Sequence, residues 1–201
     1  MIKINGKELF IGKFPNKEVN IEKEKIKYLV EKNTVTNNIG QTTTVVTFKY
    51  ENDSDLIHLM FIKAELDKLY PKISKTLYIA YMPYSRMDRE NDVYIFTLKY
   101  ISNFINSLNF ETITVEEPHS DVCLALLNNC KAVYITKDYL IEVTEFIGFD
   151  RKKDYLFFPD AGAQKRYSDL KDFNTLVGYK ERDMKTGRIT KYCQVKEEHL
   201  Y

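Results

Sequence analysis

Between Thr42 and Leu127 the chain alternates between short runs of β-branched and aromatic residues and longer segments of helical period. Thr42 to Tyr50, with Thr43-Thr44-Val45-Val46-Thr47 at its heart, reads as a strand. The polar loop Glu51-Asn52-Asp53-Ser54-Asp55 follows, able to cap a helix from about Leu56 to Leu69 in which Leu59, Ile62, Leu66 and Leu69 recur on one face. Pro71 stops it. Strand Leu77-Tyr78-Ile79-Ala80-Tyr81 then opens into a loop from Pro83 to Asp92, ahead of a helix with Leu98, Ile101, Ile105 and Leu108 inward. Strand Thr112-Ile113-Thr114-Val115, loop Glu116 to Ser120 and a short helix through Leu124 and Leu127 complete the pattern. Strands separated by helices return to one sheet in parallel, so the expected class is α/β, a parallel sheet covered by helices on both faces.

The flanking segments are less regular. Leu9 to Phe14 reads as a strand and Pro15-Asn16-Lys17-Glu18 as a turn. Ala132 to Thr136 reads as a strand ending the first unit. A second unit begins with a helix near Tyr139 to Phe146, then a strand at Phe157, a short helix from about Gln164 and a strand at Val177-Gly178-Tyr179. Lys180 to Arg188 is dense in charge, and Ile189 to Val195 reads as a ribbon strand. The expected division is residues 1–138 and 139–201, the second with too few strands to close a doubly wound sheet.

A formal net charge of +1 gives no general attraction to nucleic acid or an anionic membrane. The first residues lack the apolar core of a signal peptide, and no apolar run reaches spanning length. Cys123, Cys130 and Cys193 show no Cys-x-x-Cys spacing; on a helix the first two would share a face yet lie too far apart to bridge. Free thiols in a reducing cytoplasm are the expectation.

The run Leu156-Phe157-Phe158-Pro159-Asp160-Ala161-Gly162-Ala163-Gln164-Lys165-Arg166 carries the most chemistry. An apolar strand stopped by Pro and Gly would set Asp160 at the carboxyl end of a parallel strand, where ligands of such sheets bind. Small residues let the backbone approach a phosphate, an aspartate can hold a metal ion, and Lys165 and Arg166 add positive charge. A surface turn followed by ordinary basic residues is the alternative.

Four loops together resemble the ribose-phosphate pyrophosphokinases, the phosphoribosyl pyrophosphate (PRPP) synthetases. Phe14-Pro15-Asn16-Lys17-Glu18 resembles that family's Phe-x-Asp/Asn-x-Glu loop, and Tyr84-Ser85-Arg86-Met87-Asp88-Arg89 its Tyr-Ala-Arg-Gln-Asp-Arg/Lys loop. Glu117-Pro118-His119-Ser120 falls where the family has Asp-Leu-His-Ala, and Pro159 to Arg166 is similar to Pro-Asp-Ala-Gly-Gly-x-Lys-Arg. The resemblance implies tandem phosphoribosyltransferase-like units, the second incomplete here. It also implies transfer of diphosphate from Mg-ATP to the anomeric hydroxyl of ribose 5-phosphate, or of a bulkier ribose phosphate such as ADP-ribose, releasing AMP. Such a transfer depends on positioning and charge neutralisation.

By that resemblance Arg86, with Asp88 in the same loop, would contact ATP, and His119 would lie beside the Mg-ATP phosphates. Phe14, Asn16 and Glu18 would complete the adenine pocket of a neighbouring subunit, implying a homo-oligomer. Lys165 would serve the nucleotide and Asp160, with His119, the Mg2+ ion. Lys180 and Arg182 match the Lys-x-Arg of a catalytic loop, whose cations stabilise charge on the migrating diphosphate. Taken one at a time these residues have plainer readings: His119 as a helix-capping or surface residue, Lys180-Glu181-Arg182 as a solvated run, and Arg86, Asp88 and Arg89 as a local ion-pair cluster.

Three departures stand out. Met87 replaces a glutamine near adenine, removing its amide. Ala163 replaces a glycine, adding a methyl where a positive φ would be unfavourable. No Val-Asp-Asp…Thr-Gly-Gly-Thr segment, the family's cradle for ribose 5-phosphate, occurs up to Tyr201. The expectation is therefore either part of a longer enzyme or a non-catalytic homologue that binds nucleotide and regulates an active synthetase. A phosphoribosyltransferase would need the same segment.

Overall fold

The computed structural model describes residues 1–33, 35–36, 40–168, 170–183 and 189–197, the side chains of 182 and 192–197 excepted. The side chains of Arg182 and Cys193, the charged run 184–188 and His199 thus lie outside the described residues. The chain divides into two compact units, Met1–Ile135 and Thr136–Tyr201.

The first unit opens with strands β1 (Ile2–Ile4), β2 (Lys7–Glu8), β3 (Gly12–Lys13) and β4 (Val19–Asn20), then helix α1 (Lys23–Lys32) and strand β5 (Val35–Thr36). The alternating stretch follows as β6 (Thr42–Lys49), α2 (Ser54–Leu69), β7 (Ser74–Tyr81), α3 (Thr97–Ser107), β8 (Thr112–Glu116), α4 (Asp121–Leu126) and β9 (Cys130–Val133). Its sheet runs β2-β1-β6-β7-β8-β9, with β5 also on β6. Strands β6 to β9 are mutually parallel, and β1, β2 and β5 join antiparallel. The expected α/β class, a mostly parallel sheet flanked by helices, is what the chain adopts.

The register explains where the core lies. Ile4, Val46, Leu77 and Ile113 form one row across β1, β6, β7 and β8; Ile2, Phe48, Ile79 and Val115 form the next. All eight are at most 2% exposed. They join Leu59, Ile62 and Leu66 of α2, Leu98 and Ile105 of α3, and Cys123 of α4 in one cluster. The other face of the sheet carries Lys3, Thr47, Tyr78 and Thr114 in a row, none deeply buried. Right-handed crossovers stepping one way across a sheet lay their helices on the same face. Helices α2, α3 and α4 therefore cover one face, where both were expected, because β6 to β9 never reverse their order.

Several expected boundaries move. Leu9 to Phe14 is not one strand: the Leu9 amide donates to the Ile2 carbonyl at 3.0 Å, turning the chain so that Leu9 is buried and Phe10 is exposed. Helix α1 was not foreseen, since its segment is rich in charge; Ile26, Leu29 and Val30 nonetheless form a buried stripe. Cys130 begins a strand, so it shares no helix with Cys123, and both are free thiols.

The second unit comprises α5 (Ile135–Phe146), β10 (Tyr155–Phe158), α6 (Ala161–Arg166), β11 (Asn174–Arg182) and β12 (Ile189–Glu197). Ile135 and Thr136, read as strand from their β-branched side chains, belong to α5, and β9 ends at Val133. Strand β10 pairs parallel with β11, and β12 antiparallel. Phe158, Leu170, Phe173 and Val177 form the core of this unit. Gly178 is tightly enclosed, since a Cβ there would lie 3.0 Å from both the Phe157 ring and the Pro159 carbonyl oxygen. Among the described residues no helix is long and apolar enough to cross a membrane.

Candidate functional site

In the first unit the loops that carry Arg86, Asp88 and His119 lie beyond the carboxyl ends of β7 and β8, the edge at which parallel sheets bind ligands. Strand β7 ends at Tyr81, and Tyr84 to Arg89 form the loop beyond it. Tyr84 has φ 58°, a left-handed conformation that an aromatic residue seldom adopts. Its carbonyl accepts the Met87 amide at 3.0 Å, and the Met87 carbonyl accepts the Leu98 amide at 3.2 Å, tying the loop to α3. Ser85 is buried and Arg86 exposed.

Beyond β8, Glu117 also has a positive φ, 46°, and its amide donates to the Val133 carbonyl at 2.9 Å. That turn exposes His119 and brings Ser120 to the start of α4. The two loops meet at Asp88. Its buried carboxylate accepts from Arg89 Nε at 3.2 Å. Burial pushes this carboxyl up, but the nearby Ser120 hydroxyl, the Arg89 guanidinium and the charge of His119 outweigh it and hold it below the usual range. The buried Ser120 Oγ makes no well-formed hydrogen bond of its own. Asp88 and His119, more than thirty residues apart in sequence, thus act electrostatically on one another.

Beneath these loops the Tyr78 hydroxyl donates to Glu116 Oε2 at 2.6 Å, joining β7 to β8. Beyond β6, Asp53 Oδ1 accepts from both Tyr50, at 2.6 Å, and Tyr84, at 2.5 Å. Sequence reasoning gave no task to Asp53, Tyr50, Tyr78 or Ser120; the polar content of the loops was the available signal, without a pairing rule. Phe14, Asn16 and Glu18 form the tip of the β3-β4 hairpin. The Phe14 amide donates to the Glu18 carbonyl at 2.8 Å and the Glu18 amide to Asn16 Oδ1 at 3.2 Å. All three are exposed, Phe14 by 51%.

In the second unit Asp160 follows β10 and caps α6, its Oδ1 accepting the Ala163 amide at 2.8 Å. Its other oxygen holds the Lys180 ammonium of β11 in a direct ion pair. The Lys180 bond, above all, holds the Asp160 carboxyl below its usual range. A cation at Asp160 would have to share that carboxylate with Lys180. Among the described residues no group of three or more His, Cys, Asp or Glu is arranged to hold a metal ion. Ala163 lies within α6 and is not among the positive-φ residues, so its methyl is accommodated. Lys165 is exposed on α6 and lines a cavity of about 420 Å³ with Phe158, Tyr167, Lys171 and Phe173. Arg182 ends β11.

No known family profile matches the sequence, and no curated protein matches it by sequence. Among solved structures it is similar to the crystal structure of phosphoribosylpyrophosphate synthetase from Mycobacterium smegmatis, at a TM-score of 0.59 and 13% identity. The match covers 87% of this chain but 56% of that one, so the chain spans little more than half the length of the enzyme it matches. At such low identity the likeness speaks to fold alone: the α/β fold of this chain, a mostly parallel sheet flanked by helices, is similar to the phosphoribosyltransferase-like fold of that PRPP synthetase.

Proposed function

We propose that the protein binds Mg-ATP and transfers its terminal diphosphate to the anomeric hydroxyl of a ribose phosphate, ribose 5-phosphate or a bulkier relative such as ADP-ribose. The observation that carries this reading is the meeting of the Tyr84–Arg89 and Glu117–Ser120 loops at the carboxyl ends of β7 and β8. An exposed Arg86 and an exposed His119 there would grip the triphosphate, with Asp88 orienting the cationic groups around it. Mg2+ would come as the counter-ion of the nucleotide, held chiefly by phosphate oxygens and water, so few protein ligands are needed, with His119 the candidate in the first unit and Asp160 in the second. Lys180 would have to release Asp160 and turn to the migrating diphosphate to put a cation where charge develops, and Arg182 would act with it. Lys165 would add charge for the nucleotide. The exposed Phe14 with Asn16 and Glu18 would complete the adenine pocket of a second copy, making the protein a homo-oligomer.

Incubation with Mg-ATP and ribose 5-phosphate, and separately ADP-ribose, tests this. AMP release that depends on acceptor and is lost in Lys180→Ala is the expected result. Tight Mg-ATP binding without AMP release would instead favour a regulatory homologue. The direct Lys180–Asp160 pair favours that second reading, since it engages the cation that transfer requires.

A further inference from the structure

Asp53 stands at the N-cap of α2, yet its side chain makes no capping hydrogen bond. An aspartate at this position ordinarily accepts from the backbone amides of the first turn. Asp55 takes the backbone instead, its Oδ2 accepting the Glu51 and Asn52 amides at 2.9 and 3.2 Å. The Asp53 carboxylate is thereby left to the two phenols, and a single oxygen, Oδ1, accepts from both. The Tyr50 and Tyr84 rings lie 6.1 Å apart and tilted by 52°. One contact is local; the other crosses 31 residues to the first residue of the Arg86 loop.

That first residue is the strained one. Tyr84 holds φ 58°, and the turn it starts directs Ser85 inward and Arg86 outward. A non-glycine residue keeps this conformation when its surroundings over-determine it. The surroundings of Tyr84 include a charge-assisted hydrogen bond from its hydroxyl and a ring contact, both reaching back to the loop beyond β6.

We propose that Asp53 is a positioning residue: through the hydroxyls of Tyr84 and Tyr50 it locks the Arg86 loop in the conformation that meets a polyphosphate ligand. This rests on the function proposed above. Asp53 touches no ligand itself; it sets the affinity for Mg-ATP by fixing the strained turn before the ligand arrives. Binding is then not taxed by ordering the loop.

The test compares wild type with Tyr84→Phe, Asp53→Asn and Tyr84→Gly, measuring Mg-ATP affinity by titration calorimetry and hydrogen exchange at the Met87 and Leu98 amides. Loss of this solvent-exposed charge-assisted bond predicts an affinity about threefold weaker in Tyr84→Phe, and a smaller loss in Asp53→Asn, whose amide oxygen still accepts from both phenols. Exchange at the two loop amides should accelerate, while amides of Ile79 and Val115 keep their protection. If AMP release is observed, KM for Mg-ATP should rise with kcat within about twofold. Tyr84→Gly adopts the turn without strain but lacks the phenol, so it too should bind weakly. Wild-type affinity in Tyr84→Gly, or accelerated exchange with unchanged affinity in Tyr84→Phe, overturns the proposal. Should wild type itself bind no Mg-ATP, the function above fails, and exchange alone decides: faster loop exchange in Tyr84→Phe supports the lock, unchanged exchange refutes it.

Discussion

Replacing Lys180 with Met tests how the second unit is held at its candidate site. The Lys180 and Asp160 side chains are 24% and 25% exposed, between the surface and interior limits for an ion pair. At 4 Å and an effective dielectric of 20 their attraction is about 4 kcal/mol. Desolvation of both groups offsets most of it: exposed pairs net roughly 0–1 kcal/mol, and breaking buried ones costs roughly 3–5. Three-quarters burial puts Lys180→Met at about 1.5 kcal/mol of lost stability by the same reasoning. Asp160→Ala loses the pair and also the cap on the Ala163 amide, about 1 kcal/mol more. A double-mutant cycle should give a coupling of about 1.5 kcal/mol. The assay is urea unfolding followed by circular dichroism, with hydrogen exchange at Ala163 and Val177 reporting on the second unit. Because the pair depresses the Asp160 pKa, the unfolded chain binds the extra proton as pH falls. The stabilisation is therefore full above the unfolded pKa, near 3.9, and lost as pH drops through the folded value. The gap between wild type and Lys180→Met should close in acid. A coupling within about 0.3 kcal/mol of zero, or a gap that ignores pH, would refute the reasoning.

His58 lies buried on α2, 3.5 Å from Asp55, and burial above all lowers its pKa in spite of that carboxylate. Its neutral form is the folded one, so stability is full above pH 6.5 and falls as pH drops through the folded value; His58→Leu should flatten that part of a urea-midpoint profile. Burial pushes the Cys123 thiol up to about 12 and Cys130 to about 11, so a thiol reagent at pH 8 should label both slowly until denaturant is added. Rapid native labelling of Cys123 would contradict its burial. In Gly178→Ala the new methyl meets the Phe157 ring and a backbone oxygen that cannot yield, costing about 1–3 kcal/mol in urea unfolding. A loss below about 0.5 kcal/mol would mean that β10 can shift.

The elements read most easily from sequence were those whose pattern is local. Helix α2 announces itself by Leu59, Ile62 and Leu66 at helical spacing, and β6 by its β-branched run. Helix α1 escaped because three apolar residues are a thin stripe among Lys and Glu; its burial against β1 and α2 is a tertiary gain. Ile135 and Thr136 misled because β-branched residues favour strands only when a strand partner exists, and here the chain turns into α5. The loops of Arg86 and His119 in the first unit and of Asp160 in the second stand out by their motifs, and each does follow a parallel strand. The engagement of Asp160 by Lys180 does not, since the two stand 20 residues apart.

Periodicity and loop chemistry alone determined an α/β chain of strands and helices in alternation, with polar loops where the strands end. Which face of the sheet the helices cover, which carboxylate holds which lysine, and that Asp53 reaches Tyr84 were decided by the tertiary structure. The reason is physical: hydrophobic spacing records what one element buries, whereas hydrogen bonds and ion pairs between loops depend on distances set only once the sheet has fixed its strand order and register.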